Sequence, residues 1–187
     1  MMLNIVLPST KVPFKSYEES KMTSVDINEA IKSNSTYICK VSNSDTNSDN
    51  ADPFTFAIKI LDFSIFECDF NDTFKVLDKI FDLKQGHFKL LTVEIKSFNF
   101  ERLAPFNIYK YFSVIDREGF QYNSAYDSST FSNYNNSEYL EKLNINIVRS
   151  NGEIIPKLKY TDKIPFYVPN DNTMEYCFSV SPCTIKI

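Results

Sequence analysis

Glycine is scarce in this chain, with three residues in 187, tryptophan is absent, and histidine occurs once. Three dispersed glycines leave no Gly-rich phosphate loop, which excludes the common nucleotide-binding motifs. Without tryptophan there is no indole to pack on an inter-sheet cysteine pair, so an antibody-type domain is excluded too. The single His87 follows Gly86 with no Ser or Cys motif near it; we read it as a surface or rim residue rather than a catalytic base. Charge of one sign is also lacking: 20 Lys and Arg against 24 Asp and Glu give −4, spread without a block. No basic stripe is available to neutralise phosphates and no polybasic tail to hold an anionic membrane, so nucleic acid is not an expected partner. No apolar run approaches the roughly 18 residues of a membrane span, and the start MMLNIVLPSTKVPF lacks a charged n-region, a long apolar core and a small-residue cleavage site. The chain reads as soluble, either cytoplasmic or secreted with its signal peptide absent.

The four cysteines, Cys39, Cys68, Cys177 and Cys183, show no C-x-x-C spacing, so neither a zinc knuckle nor a thioredoxin-type motif is implied. Cys68 and Cys177 fall within apolar alternation, where a thiol acts as a small hydrophobe. Thiols are expected rather than a disulfide framework, because a chain of this length does not need staples.

What is abundant is aromatic: 17 Phe and 11 Tyr, residues that suit pleated surfaces more than helices. Residues 1–41 read as an N-terminal extension. In it Asp26 and Glu29 have capping-box spacing, and Val25, Ile27, Ala30 and Ile31 line one face of a short helix, followed by a strand at STYICKV. The polar stretch 42–53, SNSDTNSDNADP, is linker composition. From 54 on, FTFAIKILDFSIFE alternates and then changes phase after Ile60, which predicts a bulge or a crossing between sheets. The spacing of Phe74, Leu77 and Phe81 in DTFKVLDKIFDL predicts a short helix over 72–83. HFKLLTVEIKSFNF returns to strand with Leu91, Val93 and Ile95 inward and Thr92, Glu94 and Lys96 outward. Two alternating runs flank DREG, where Gly119 closes a hairpin. Asn151-Gly152 signals another turn, Pro156, Pro165 and Pro169 belong at edges or strand ends, and MEYCFSV supplies a closing strand with Tyr176, Phe178 and Val180 on one face. Seven to nine strands from residue 54 on make an all-β, two-sheet antiparallel sandwich over 54–187.

Four segments in order, QGHFKLLTVEIKSFN, FSVIDREGFQY, a polar loop and IIPKLKYTDKIPFYVPND, resemble the telokin-like, immunoglobulin-like β-sandwich domains of bacterial proteins, many of unknown function. The residues that carry the resemblance are Gly86, Asn99, Phe112, Asp116, Gly119, Tyr122, Pro156, Phe166, Val168 and Pro169. Lys157 and Asp162 stand where that family usually has glycines. The resemblance spans about residues 54–187 and implies an immunoglobulin-like sandwich.

Three constellations bear on function. The Ser-, Asn- and Tyr-rich stretch 123–139 has the chemistry of binding loops, large rigid aromatics beside adaptable hydrogen-bonding groups, with Tyr122, Tyr126, Phe131, Tyr134 and Tyr139 as contact residues. Glu67, Asp69 and Asp72 could offer oxygen ligands to a hard cation such as Ca²⁺, but they lack the regular Asp spacing of a calcium loop, and a solvated helix-capping loop explains them. Asp116 and Glu118 in DREG have the same two readings, and the turn already accounts for Asp116. The sequons at Asn34, Asn71 and Asn135 carry little weight in so Asn- and Ser-rich a chain. The expectation is a non-enzymatic binding module, without cofactor, whose partner is another protein. The alternatives are a metal- or small-molecule-binding protein using Glu67, Asp69 and Asp72, and a structural component of a phage or cell-envelope assembly.

Overall fold

The computed structural model describes residues 4–6, 24–41, 54–66, 73–76, 79–97, 112–124, 159–171, 173–180 and 183–186. In chain order the elements are β1 (Asn4–Val6), β2 (Ser24–Asp26), α1 (Ile27–Ser33), β3 (Thr36–Val41), β4 (Phe54–Ile65), β5 (Thr73–Val76), β6 (Lys79–Asp82), β7 (Gly86–Ser97), β8 (Phe112–Asp116), β9 (Gln121–Asn123), β10 (Lys159–Pro169), β11 (Tyr176–Val180) and β12 (Cys183–Lys186). They form an antiparallel five-stranded sheet ordered β10-β7-β4-β3-β12 and an antiparallel four-stranded sheet ordered β2-β11-β8-β9. A small sheet ordered β1-β6-β5 joins them, with β1 and β6 parallel.

The two larger sheets face each other across the aromatic interior that the composition predicts. Phe56 of β4 stacks on Phe112 of β8 at 6.2 Å between centroids, and Phe63 of β4 meets Tyr176 of β11 edge-on at 5.6 Å. Leu91, Val93 and Ile95 of β7 are fully buried while Lys96 is exposed, as period-two alternation requires. The phase change in β4 is a bulge: the register with β7 shifts between Ile60 and Asp62, so that Phe56, Ile58 and Ile60 before it and Phe63 after it all turn inward. The extra residue, Leu61, is left exposed. Pro165 and Pro169 lie on β10, an edge strand whose outer side needs no ladder donors. Cys39 and Cys177 are both buried, as small apolar fillers are, while Cys68 lies outside the described residues.

α1 starts where the capping residues place it. Asp26 accepts from the Glu29 N–H at 2.9 Å, Asn34 ends the helix in the left-handed region at φ 57°, and Ile27 and Ala30 are buried in the common core. Residues 24–41 are therefore built into the sandwich rather than appended to it. β2 pairs with β11, and β3 lies between β4 and β12 inside the five-stranded sheet. Local sequence shows that a strand forms at 36–41; which neighbours it joins is a long-range matter.

The helix predicted over 72–83 is not formed. Those residues give β5 and β6, an antiparallel pair with Phe74 opposite Phe81. Phe81 packs against Phe88 at 4.9 Å and Tyr167 at 5.1 Å on the outer face of the five-stranded sheet. A short run of aromatic and β-branched residues fits both periods, and the aromatic surface it lands on decides between them.

Candidate binding site

Short turns gather at one end of the sandwich: residues 83–85 before β7, 117–120 between β8 and β9, and residues 170–171 and 173–175 before β11. The turn from 117 to 120 is organised by Asp116, which is 1% exposed. Its Oδ1 accepts from the N–H groups of Glu118 and Phe120, both at 2.9 Å, and its Oδ2 accepts from the Tyr122 hydroxyl at 2.8 Å. Gly119 takes φ 86°, the left-handed conformation the turn needs. Asp116 is thus fully used in building the hairpin. Tyr122, expected among the contact aromatics, is instead buried on β9, because its hydroxyl has this internal acceptor and its ring meets Tyr176 edge-on at 6.2 Å. Burial, with the adjoining Asp116 carboxylate, pushes its phenol well above the ordinary tyrosine range.

β7 begins under the next turn. Tyr167 covers Gly86 and donates from its hydroxyl to the Asp82 carbonyl at 2.5 Å; burial pushes that phenol up to about 12. Asn170 donates from Nδ2 to the Leu83 carbonyl at 2.9 Å, which turns its Oδ1 to His87 Nδ1 at 2.7 Å. That orientation assigns the Nδ1 proton to the bond with Asn170 and leaves Nε2 as the acceptor nitrogen of the neutral ring. Burial holds His87 below the ordinary imidazole value, opposed by the Asn170 bond and aided by the charge of Lys89.

Lys89 lies two residues along on the same face, 9% exposed, with its ammonium 5.0 Å from the ring centroids of both Phe63 and Tyr176. Desolvation lowers its pKa and the charge of Asp171 works against that shift. Asp171 is partly exposed and held below the usual carboxylate range by hydrogen bonds from the Thr173 hydroxyl and N–H. Tyr176 is 3% exposed, its hydroxyl has no partner among the described residues, and burial raises its phenol strongly. Lys89 and Tyr176 escaped sequence reasoning as site residues. The available signal was the inward row of β7, where His87 and Lys89 precede Leu91, Val93 and Ile95.

Of the other residues weighed from the sequence, His87, read there as a surface or rim residue, sits half-buried and Glu118 is exposed in its turn. Tyr126, Phe131, Tyr134, Tyr139, Glu67, Asp69 and Asp72 lie outside the described residues. Among the described residues no three His, Cys, Asp or Glu side chains come together as metal ligands, and no helix is long and apolar enough to cross a membrane.

The opposite end of the sandwich has a different character. Val41 pairs with Phe54, Phe56 with Ser97, and Lys159 with Lys96; across the interior, Phe112 packs on Phe56 and the Ser113–Asn123 pair lies beside it. The strands that flank residues 42–53, 98–111 and 125–158 therefore all terminate at this one end. Among the described residues, fold and site together define a mainly β arrangement of two packed antiparallel sheets and a small third sheet, with one short helix. Comparison with known family models, with curated proteins and with solved structures finds no match to this chain.

Proposed function

We propose that the protein is an immunoglobulin-like binding module, non-enzymatic, that recognises another protein through the end of the sandwich opposite His87 and Lys89. The observation that supports this reading is the convergence of strand ends from both sheets on the flanks of residues 42–53, 98–111 and 125–158. A rigid two-sheet scaffold that presents several connections at one end is the arrangement in which variable loops form a joint contact surface. The stretch 123–139, which starts at the end of β9, carries in its sequence the Tyr, Phe, Ser and Asn chemistry of a recognition surface.

The test replaces Tyr126, Phe131 and Tyr134 together with serine and compares proteins retained from the native host extract by the full-length wild-type and variant chains. Loss of specific partners with an unchanged melting temperature is the expected result. Retention of every partner by the triple variant overturns the reading.

A further inference from the structure

The inward row of β7 carries two polar residues, His87 and Lys89, where an apolar interior would continue. The register sets Lys89 between Ile65 of β4 and Phe166 of β10. Its ammonium meets two aromatic rings, Phe63 and Tyr176, and among the described residues no carboxylate or carbonyl pairs with it. Asp171, the carboxylate whose charge reaches it, turns Oδ1 to the Thr173 N–H at 2.8 Å and the Thr173 hydroxyl at 2.7 Å. A cation drawn out of water calls for a full negative charge, and ring faces offer only a partial one.

The same end holds two further unmet groups. The Tyr176 hydroxyl and His87 Nε2 are two of the three buried side-chain polar atoms without a partner among the described residues. The third, Ser113 Oγ, belongs to the face of β8 turned away from the interior. Buried polar atoms are almost always paired, so two orphans at the same end as an ammonium unpaired among the described residues mark a place where those residues supply no partner.

The geometry points to a carboxylate-binding site at the turn end of the sandwich, in which Lys89 takes the anion and the Tyr176 hydroxyl donates to it beside the Phe63 ring. The Tyr176 hydroxyl is closed off in the free chain, so it is the second donor, reached once the Lys89 head swings toward its anion. Charge selects a monoanion: there is one ammonium, while Asp116 and Asp171 act on Tyr176 and repel a second negative charge. The aromatic pair and the exposed Ile65 opposite Lys89 suit an apolar body behind the carboxylate, and neutral Nε2 suits a ligand N–H or O–H. A free organic acid and the C-terminal carboxylate of a partner chain present the same group. This site is distinct from the loop end, and either can fail without the other.

Nuclear magnetic resonance on the full chain with carbon-13-labelled lysine tests it, the Lys89 signal being assigned from its loss in Lys89→Gln. Sodium acetate, sodium benzoate, a short peptide with a free C-terminus and the same peptide amidated are titrated against sodium chloride at matched ionic strength. The expected result is a saturable shift of the Lys89 Cε signal with carboxylates, and a rise in its titration midpoint. Tyr176→Phe is expected to weaken binding about tenfold, the scale of one hydrogen bond to a charged group. Tightest binding of benzoate identifies a free acid; tightest binding of the peptide acid with a silent amide identifies a chain terminus. An equal response to chloride, a shift that never saturates, or carboxylate binding by Tyr176 and Phe63 signals unchanged in Lys89→Gln overturns the proposal. Lys89→Met, which keeps the stem and removes the charge, serves where Lys89→Gln does not fold.

Discussion

Asp116 keeps a carboxylate inside the sandwich because three donors meet it: two backbone N–H groups of its own turn and the Tyr122 hydroxyl. Removing one donor strands a buried acceptor, so Tyr122→Phe is expected to cost about 1–3 kcal/mol of stability. Asp116→Ala removes the acceptor of all three and is expected to cost more, with the two substitutions non-additive in a urea-unfolding double-mutant cycle because they share one bond. His87 gives a prediction in pH. Burial holds the folded imidazole below its ordinary 6.5, so the unfolded chain takes up a proton first as pH falls. The stability linked to this group is complete above the unfolded value and is lost as pH falls through the folded one. Urea midpoints are expected to decline on acidification below about pH 6.5, and the decline is expected to lose its His87 component in His87→Gln; a folded-state titration midpoint above that of the unfolded chain contradicts this. The roles of Asp116 and Gly119 were legible in DREG because a tight turn is a local structure. Tyr122 was misread because its acceptor, six positions back, becomes a neighbour only when the hairpin closes. The meeting of Lys89 with Tyr176 depends on two sheets packing, which no local pattern encodes.

At the level of elements the described glycines separate two kinds of constraint. A Cβ on Gly86 would lie 2.7 Å from Tyr167 Cζ and 2.8 Å from the Val168 carbonyl oxygen, so Gly86→Ala forces the β7–β10 edge apart and is expected to cost about 1–3 kcal/mol. Gly119 has open space around it and φ +86°, so Gly119→Ala meets only backbone strain, about 1–2 kcal/mol. Substituting Tyr167 is expected to relieve the ring's share of the first cost, leaving the Val168 carbonyl contact, and to leave the second untouched, which thermal unfolding of the paired variants measures. The bulge in β4 yields a sharper contrast. Because Ile60 pairs with Val93 and Asp62 with Thr92, deleting Leu61 restores continuous alternation with Phe56, Ile58, Ile60 and Phe63 still inward. That deletion is expected to preserve the fold, whereas deleting Thr92 turns one half of β7 inside out and abolishes cooperative unfolding. The bulge was readable because a change of phase in a long strand has few other causes. The β5–β6 pair was not, since twelve residues with two phenylalanines and spaced aliphatics match a helical stripe nearly as well as two short strands.

For the whole molecule, the question is where the folding unit begins. Composition places a boundary in the polar stretch 42–53 and leaves an extension before it, but the topology draws that extension into both large sheets. β3 stands between β4 and β12, β2 edges the four-stranded sheet, and Ile27, Ala30, Tyr37 and Cys39 are buried in the shared core. β12 has β3 as its sheet partner, so a chain that starts at residue 54 leaves β12 without a ladder and opens one edge of β4. The loss of Ile27 alone is worth about 1.5–3 kcal/mol of burial, against a total stability of about 5–15 kcal/mol for a typical domain. The tyrosine, the six backbone residues of β3 and the helix cap come on top of that. The fragment 54–187 is therefore expected to lack a cooperative urea transition and the dispersed amide spectrum of the full chain. Adding a peptide of residues 24–41 in trans is expected to restore both in part, because its strand has a waiting place between two others. A fragment 54–187 that unfolds cooperatively by itself, with dispersed amides, would show that the sandwich closes without β3 and that the sequence boundary is the true one.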